Sequence, residues 1–331
     1  MSDDDRYKKL AEKIFMGDSK RIPEIFKAIA SPEEADALLA CPGTAAQVAS
    51  ALGVEESAAA EMLDTLFRKG LAFKKQTPDG TVYRMCRDLM QFHDASILWP
   101  EAPRSFLDLW QSFMEEEWPA FSEMVEKMLP RPVTRVVPVS ESMDSKQQIL
   151  AFEDVRQMID EADVIAVTNC TCRLTAQKCD RPVEICMQLG KAGSYSIERG
   201  TGRPVDKDEA LALLRKAEEA GLIHVTMNRA AETHFICNCC NDCCMTFPML
   251  INKQLKMCDP SRFAARIDAS LCDSCGECLE RCYFGALSME DSSTGATIDA
   301  SSCMGCGLCQ VVCPTGAIIL EQVRETDFIP T

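Results

Sequence analysis

Ile267-Asp268-Ala269-Ser270-Leu271-Cys272-Asp273-Ser274-Cys275-Gly276-Glu277-Cys278-Leu279-Glu280-Arg281-Cys282-Tyr283-Phe284-Gly285-Ala286-Leu287 recurs 31 residues later as Ile298-Asp299-Ala300-Ser301-Ser302-Cys303-Met304-Gly305-Cys306-Gly307-Leu308-Cys309-Gln310-Val311-Val312-Cys313-Pro314-Thr315-Gly316-Ala317-Ile318. The two stretches are one unit written twice, each with cysteines spaced C-x2-C-x2-C-x3-C. An iron–sulfur cube needs four thiolates at the corners of a tetrahedron, and a tight loop can supply three from one short run while the fourth arrives from elsewhere. Gly276 and Gly307 suit such a loop, because the backbone must turn closely around inorganic sulfurs and aim N–H groups at them.

With every ligand position filled, this region resembles the bacterial dicluster ferredoxins over roughly the last fifth of the chain. The resemblance implies two 4Fe-4S clusters that exchange ligands between the repeats. Cluster I would take Cys272, Cys275, Cys278 and Cys313, and cluster II Cys303, Cys306, Cys309 and Cys282. One departure stands out: Tyr283 occupies the place of Pro314 in the second repeat. The ligands are untouched, but packing and solvent access at Cys282, and with them the potential of cluster II, are expected to differ. The competing account is a pair of zinc knuckles, whose paired C-x2-C spacing matches the duplicated pattern poorly.

The chain has 331 residues, 47% hydrophobic and 26% charged, which predicts two or three globular domains rather than a disordered polymer. No run reaches the roughly 18 apolar residues of a membrane span, and the Met-Ser-Asp-Asp-Asp-Arg start is not a signal peptide, so a cytoplasmic protein is expected. Twenty cysteines in that compartment point to metal ligation rather than disulfides. A formal charge of -16 disfavours nucleic acid and anionic membranes and favours basic partners.

The expected fold class is α+β and multidomain. Residues 1–87 read as a helical, winged-helix-like domain, 88–148 as a helical connector, 149–260 as a cysteine-rich α/β domain and 261–331 as the dicluster ferredoxin domain. In the first, Ser31-Pro32-Glu33-Glu34 and Thr44-Ala45-Ala46-Gln47 are helix starts with capping-box signatures, Gly53 and Gly70 are stops, and a ribbon from Leu71 to Met85 turns at Pro78-Asp79-Gly80. Helix, turn, helix and ribbon over roughly 44–86 resemble a winged-helix domain. Its second helix carries Glu55, Glu56, Glu61 and Asp64 before Arg68, while Lys74, Lys75 and Arg84 lie on the ribbon, so a protein-binding or structural role is expected over DNA reading. The aromatic residues of the connector, among them Phe92, Trp99, Phe106, Trp110, Phe113, Trp118 and Phe121, read as core; Cys41 and Cys86 read as small apolar fillers.

The middle block holds the remaining signal. An apolar strand Val164–Val167 leads to Cys170-Thr171-Cys172-Arg173; Cys179 and Cys186 follow. Asp206, with Glu209 three residues on, caps a helix that ends at Gly221. A second strand end, Phe235-Ile236, delivers Cys237-Asn238-Cys239-Cys240-Asn241-Asp242-Cys243-Cys244. Were the two strands neighbours, both cysteine loops would share one sheet edge. The block resembles iron–sulfur proteins of anaerobic microbes in which a Cys-x-Cys-Arg motif and an Ile-Cys-Asn-Cys-Cys motif precede a dicluster ferredoxin, and that resemblance implies redox chemistry. Cys170, Cys172, Cys179, Cys186, Cys237, Cys239, Cys240, Cys243 and Cys244, with Cys258 as a further candidate, could hold one or two additional iron–sulfur clusters; one structural zinc is the alternative. Arg173 beside a cluster would raise its potential. His93, His224 and His234 read as structural.

No nucleotide-binding glycine pattern and no nucleophile–base constellation is written here. The expectation is an electron-transfer protein, a subunit or partner of an anaerobic oxidoreductase complex, rather than a self-contained enzyme. Residues 261–331 carry ten carboxylates against four arginines, a net -6, which predicts a redox partner with a basic docking surface. The alternatives are a redox-sensing winged-helix regulator and an enzyme with a substrate-binding cluster in the middle domain.

Overall fold

The computed structural model describes residues 2–78, 80–139, 154–231, 233–290 and 295–331, which fall into two compact units. The first comprises Met1–Pro119 with the short segments Leu174–Ala176 and Glu198–Thr201; the second holds the rest.

Local sequence chemistry sets the first unit. Ser31 caps the helix Pro32–Ala40 and Thr44 caps Ala45–Leu52, each in a reciprocal capping box that satisfies two otherwise orphan donors. Gly53 closes the second of these helices in the left-handed conformation that disfavours a side chain. Helix Glu56–Arg68 follows, then the antiparallel hairpin Ala72–Thr77 with Gly80–Met85, onto which Gly43–Thr44 adds a third strand. Asp79, at the expected hairpin turn, lies outside the described residues. The apolar stripe of helices Arg21–Ile29, Leu89–Ile97 and Arg104–Glu116 closes around an aromatic core. Phe26 stacks on Phe92 at 4.0 Å, and Phe92 meets the edge of Trp110 at 5.0 Å. Such pairs add about 0.5–1.5 kcal/mol each to the burial of their area. Cys41 and Cys86 are buried in this unit, and burial pushes the Cys41 thiol up to about 11.

The second unit is built on a six-stranded sheet in which every neighbouring pair is antiparallel, ordered Thr134–Val137, Ile223–Met227, Phe235–Cys239, Glu184–Leu189, Ile165–Asn169, Gly202–Pro204. The two strands that carry cysteines at their ends are therefore not neighbours. Glu184–Leu189 lies between them, and two antiparallel steps leave Ile165–Asn169 and Phe235–Cys239 running the same way, so their cysteine ends still share one end of the sheet. The intervening strand contributes Cys186 there. Helix Lys207–Glu219, capped by Asp206, presents Ala210 and Leu214 to a core that includes Val155, Ile159, Ile165, Met187 and Ile236.

The C-terminal repeats fold with swapped strand pairs. Phe263–Ile267 pairs antiparallel with Ile318–Gln322, setting Ile267 opposite Ile318, while Leu287–Ser288 pairs with Thr297–Ile298, setting Leu287 opposite Ile298. Adding the repeat offset of 31 to Ile267 gives Ile298, and subtracting it from Ile318 gives Leu287, so one pairing maps onto the other. Each repeat thus opens a strand pair that the other closes, the backbone counterpart of a crossed ligand set.

Candidate metal centres

In the C-terminal region the short helices Glu277–Arg281 and Leu308–Val311 start at Gly276 and Gly307, both left-handed, with φ of 80° and 81°. That geometry turns the chain so that the N–H of Glu277 donates to the Cys275 sulfur and, one repeat on, the N–H of Leu308 to the Cys306 sulfur. Ala265 donates likewise to Cys303 Sγ at 3.4 Å. Cys272, Cys275, Cys278 and Cys313 line one cavity with Gly276 and Ile267. Cys306, Cys303 and Cys282 lie within Coulombic reach of Cys309. The two quartets differ in setting. In the first Cys275 is exposed and Cys278 buried, whereas in the second Cys303 and Cys309 are both buried, none is exposed, and burial pushes the Cys306 thiol up to about 12. At Cys313 burial acts upward too, but the Thr315 hydroxyl and the backbone N–H groups of Ala317 and Ile318 outweigh it and hold the thiol below its usual range. Thiols fed by N–H donors in loops turned by left-handed glycines fit an iron–sulfur cube.

The middle domain sorts its cysteines into two groups. In the first, six thiols close a ring of hydrogen-bond contacts running Cys170, Cys172, Cys244, Cys239, Cys237, Cys186 and back to Cys170. Cys170 is the N-cap of helix Thr171–Ala176 and Cys172 sits in its first turn, not in a loop. Cys237 and Cys239 lie within the strand Phe235–Cys239 rather than after it, and the register that sets Met187 opposite Ile236 brings Cys186 alongside Cys237. Strand alternation turns Cys237 and Cys239 to one face and Asn238 to the other. Hydrogen bonds from Cys172 and its ring neighbours hold Cys170 and Cys244 well below the usual thiol range, while Cys172, Cys186 and Cys239 are pushed up. Six sulfurs in one ring, those of Cys170, Cys186 and Cys244 buried and the others partly so, with two thiolates favoured among them, make a donor set suited to thiophilic metal.

The second group stands apart from the ring. Cys179, Cys240 and Cys243 place their sulfurs, with a carboxylate oxygen of Asp242, within 4.8 Å of one another. Cys179 arrives after the left-handed Gln177 that ends the Thr171–Ala176 helix. The other three residues share the turn that leaves the Phe235–Cys239 strand. Arg173 is buried behind them, donating to the carbonyls of Pro182 and Asn238 at 2.8 and 3.0 Å and to Cys240 Sγ at 3.6 Å.

Asp242 and Arg181 were not legible as site residues by type alone; a carboxylate enclosed in Cys-x-Asp-Cys is the signal that could have marked Asp242. Cys258 is buried near Cys244 but outside the ring, its thiol directed at the Asp259 carbonyl at 3.6 Å. The histidines serve packing and hydrogen bonding: His224 bonds Asn238 at 2.6 Å and Glu218 at 3.1 Å, His93 bonds Asp94, and His234 meets Arg229.

The ferredoxin repeats and the middle domain meet within the second unit. Cys306, Met304, Leu308, Val311, Tyr283 and Phe284 share one apolar cluster with Cys237, Cys239, Cys244 and Phe247. Val139 N–H donates to the Cys306 carbonyl at 2.9 Å, and Phe247 meets Phe284 edge-on at 5.4 Å. Tyr283, the departure from Pro314, accepts from Arg181 Nη2 at 3.1 Å. Among the described residues no helix is long and apolar enough to cross a membrane. No curated protein matches the chain. Residues 271–317 match the family model of the 4Fe-4S dicluster domain, which makes the C-terminal region a ferredoxin-type iron–sulfur domain.

Proposed function

We propose that the chain is a cytoplasmic iron–sulfur electron-transfer protein, a subunit or partner of an anaerobic oxidoreductase, with cluster I on Cys272, Cys275, Cys278 and Cys313 and cluster II on Cys303, Cys306, Cys309 and Cys282. The six-thiol ring of the middle domain holds at least one further cluster. Bound clusters supply single-electron redox chemistry; the fold sets their potential, spacing and docking. The observation that carries the reading is that Cys306 of the second quartet and Cys237 and Cys239 of the ring, each partly buried, pack against one apolar cluster that includes the buried Cys244. A largely apolar junction between two thiol sites is where an internal electron step belongs. The first quartet, which reaches the surface at Cys275, is the external terminus.

The region around 44–85 serves as a winged-helix-type interaction module rather than a DNA reader. Most of its cations are engaged internally: Arg68 pairs with Asp64, Lys69 with Glu34, Lys74 with Glu198, and Arg84 bonds Gln91, while Lys75 is exposed. A free phosphate-binding face would leave such groups uncommitted.

Anaerobic purification with iron and acid-labile sulfide counts tests the proposal. About eight irons per chain correspond to the C-terminal clusters, and about twelve or more to a loaded ring. Changing Cys237 and Cys239 together to Ser should return the count to about eight with the C-terminal signals intact. Zinc in place of iron at the C-terminal thiols would sink the reading.

A further inference from the structure

The geometry points to a mononuclear metal site on Cys179, Cys240 and Cys243 with Asp242 as the fourth ligand, separate from the six-thiol ring and taking one tetrahedral divalent ion of the zinc or ferrous class. It rests on the middle domain being a thiol–metal domain, not on its carrying electrons.

Spacing decides the nuclearity. An ion bound at about 2.3 Å by tetrahedral thiolates sets their sulfurs about 3.8 Å apart. Cys179 Sγ and Cys243 Sγ are 3.7 Å apart, and all four donor atoms fall within 4.8 Å. A four-iron cube puts each thiolate on a different iron and needs wider corners. The donor set is also mixed: three soft sulfurs and one carboxylate, which suits zinc or ferrous iron and disfavours the hard cations that choose oxygen alone.

The surroundings are built for a charged centre. Lys178 N–H donates to the Cys243 sulfur and Cys243 N–H to the Cys240 sulfur. Asp242 is fixed by Cys243 N–H on one oxygen at 2.7 Å and by Arg181 Nη1 on the other at 3.3 Å, and each oxygen keeps a second lone pair for the ion. Three thiolates and a carboxylate around a divalent ion sum to two negative charges, which the guanidiniums of Arg173 and Arg181 offset. Arg173, 2% exposed, lies between this site and the ring: it donates to Cys240 Sγ, the Cys170 and Cys186 sulfurs act on it as well, and its Nη2 has no hydrogen-bond partner among the described residues. A buried guanidinium with a spare donor beside a thiol cluster calls for more anionic character than neutral thiols provide.

Metal and sulfide analysis of the full chain purified without air, as wild type and as Cys179→Ser/Cys243→Ser, tests this. The double variant should lose one equivalent of zinc or iron per chain while acid-labile sulfide stays unchanged. Loss of about four irons with their sulfide would assign these thiols to a cluster, and unchanged metal content would mean they hold nothing; either overturns the site. Should the variant be insoluble, X-ray absorption of zinc-loaded wild type reads the site directly. Three sulfurs near 2.3 Å and one oxygen at about 2.0–2.2 Å are expected, and a four-sulfur shell or absence of bound zinc would overturn it. The iron count of the C-terminal clusters is independent of every one of these readouts.

Discussion

At the scale of single residues, the two repeats differ most sharply at Gly305 and its counterpart Ser274. Both adopt the left-handed conformation, with φ of 63° and 61°. A side chain there costs about 1–2 kcal/mol in backbone strain. Ser274 sits in the loop beside the exposed Cys275 and bears that cost. At Gly305 a Cβ would also run into the Phe263 carbonyl and the Ser261 hydroxyl, and the latter donates to the Gly305 carbonyl at 2.7 Å. Gly305→Ala should therefore displace the Cys303–Cys306 loop, and iron loss to a chelator should be several-fold faster than from wild type with cluster II affected first. Ser274→Gly should be neutral or stabilising by up to about 1 kcal/mol; equal chelator sensitivity of the two variants would contradict the asymmetry.

Elements show why some of the molecule could be read from sequence and some could not. The capping boxes at Ser31 and Thr44 and the Asp206 cap are legible because both partners lie within one helical turn, as does the duplicated cysteine loop. The ring of six thiols is not local: it draws on one helix, two paired strands and a turn, and the strand that leads into the helix lies on the far side of Glu184–Leu189, an order that periodicity cannot give. Cysteines that read as loop residues prove to lie on the strand Phe235–Cys239, where Asn238 anchors the register. Its side-chain nitrogen donates to the Ile185 carbonyl at 2.6 Å, and its oxygen meets His224 Nδ1, all fully buried. Asn238→Ala leaves a buried carbonyl and a buried imidazole nitrogen without partners, each worth about 1–3 kcal/mol. Chemical denaturation under argon should show a loss of about 2–4 kcal/mol, and iron should fall toward the C-terminal complement because Cys237 and Cys239 lose their alignment. A stability change below about 0.5 kcal/mol would remove Asn238 from this role.

Across the whole molecule, the internal duplication has been turned to two opposite uses. Asp273, Glu277 and Glu280 of the first repeat correspond to Met304, Leu308 and Val311 of the second. The three acids are exposed around Cys275, whereas their three apolar counterparts join the buried cluster that faces the middle domain. Cys282 lies with Cys303, Cys306 and Cys309, and Cys313 with Cys272, Cys275 and Cys278, so residues after Cys282 lie by the second quartet and residues after Cys313 by the first. Tyr283 and Phe284 accordingly dock on Arg181 and Phe247, while Pro314 and Thr315 are exposed. Tyr283→Pro, which copies the second repeat, should loosen that junction, and stopped-flow reduction should show the middle cluster filling more slowly than cluster II by tenfold or more. The acidic end makes the complementary claim about partners. Charges on an exposed surface act through solvent, so attraction to a basic donor fades once the screening length, about 10 Å at 0.1 M salt, shrinks below the docking distance. Asp273→Lys combined with Glu277→Lys should lower the bimolecular rate of reduction by a basic redox donor at least tenfold at low ionic strength, and the gap from wild type should close as salt approaches about 1 M, where screening falls to about 3 Å. Met304→Lys is no substitute control, since that position is partly buried; Glu325→Lys, exposed on the same domain, is the proper comparison. If the Glu325 variant slows reduction as much as the double variant, net charge rather than the face around Cys275 governs docking, and electrons do not enter by that face.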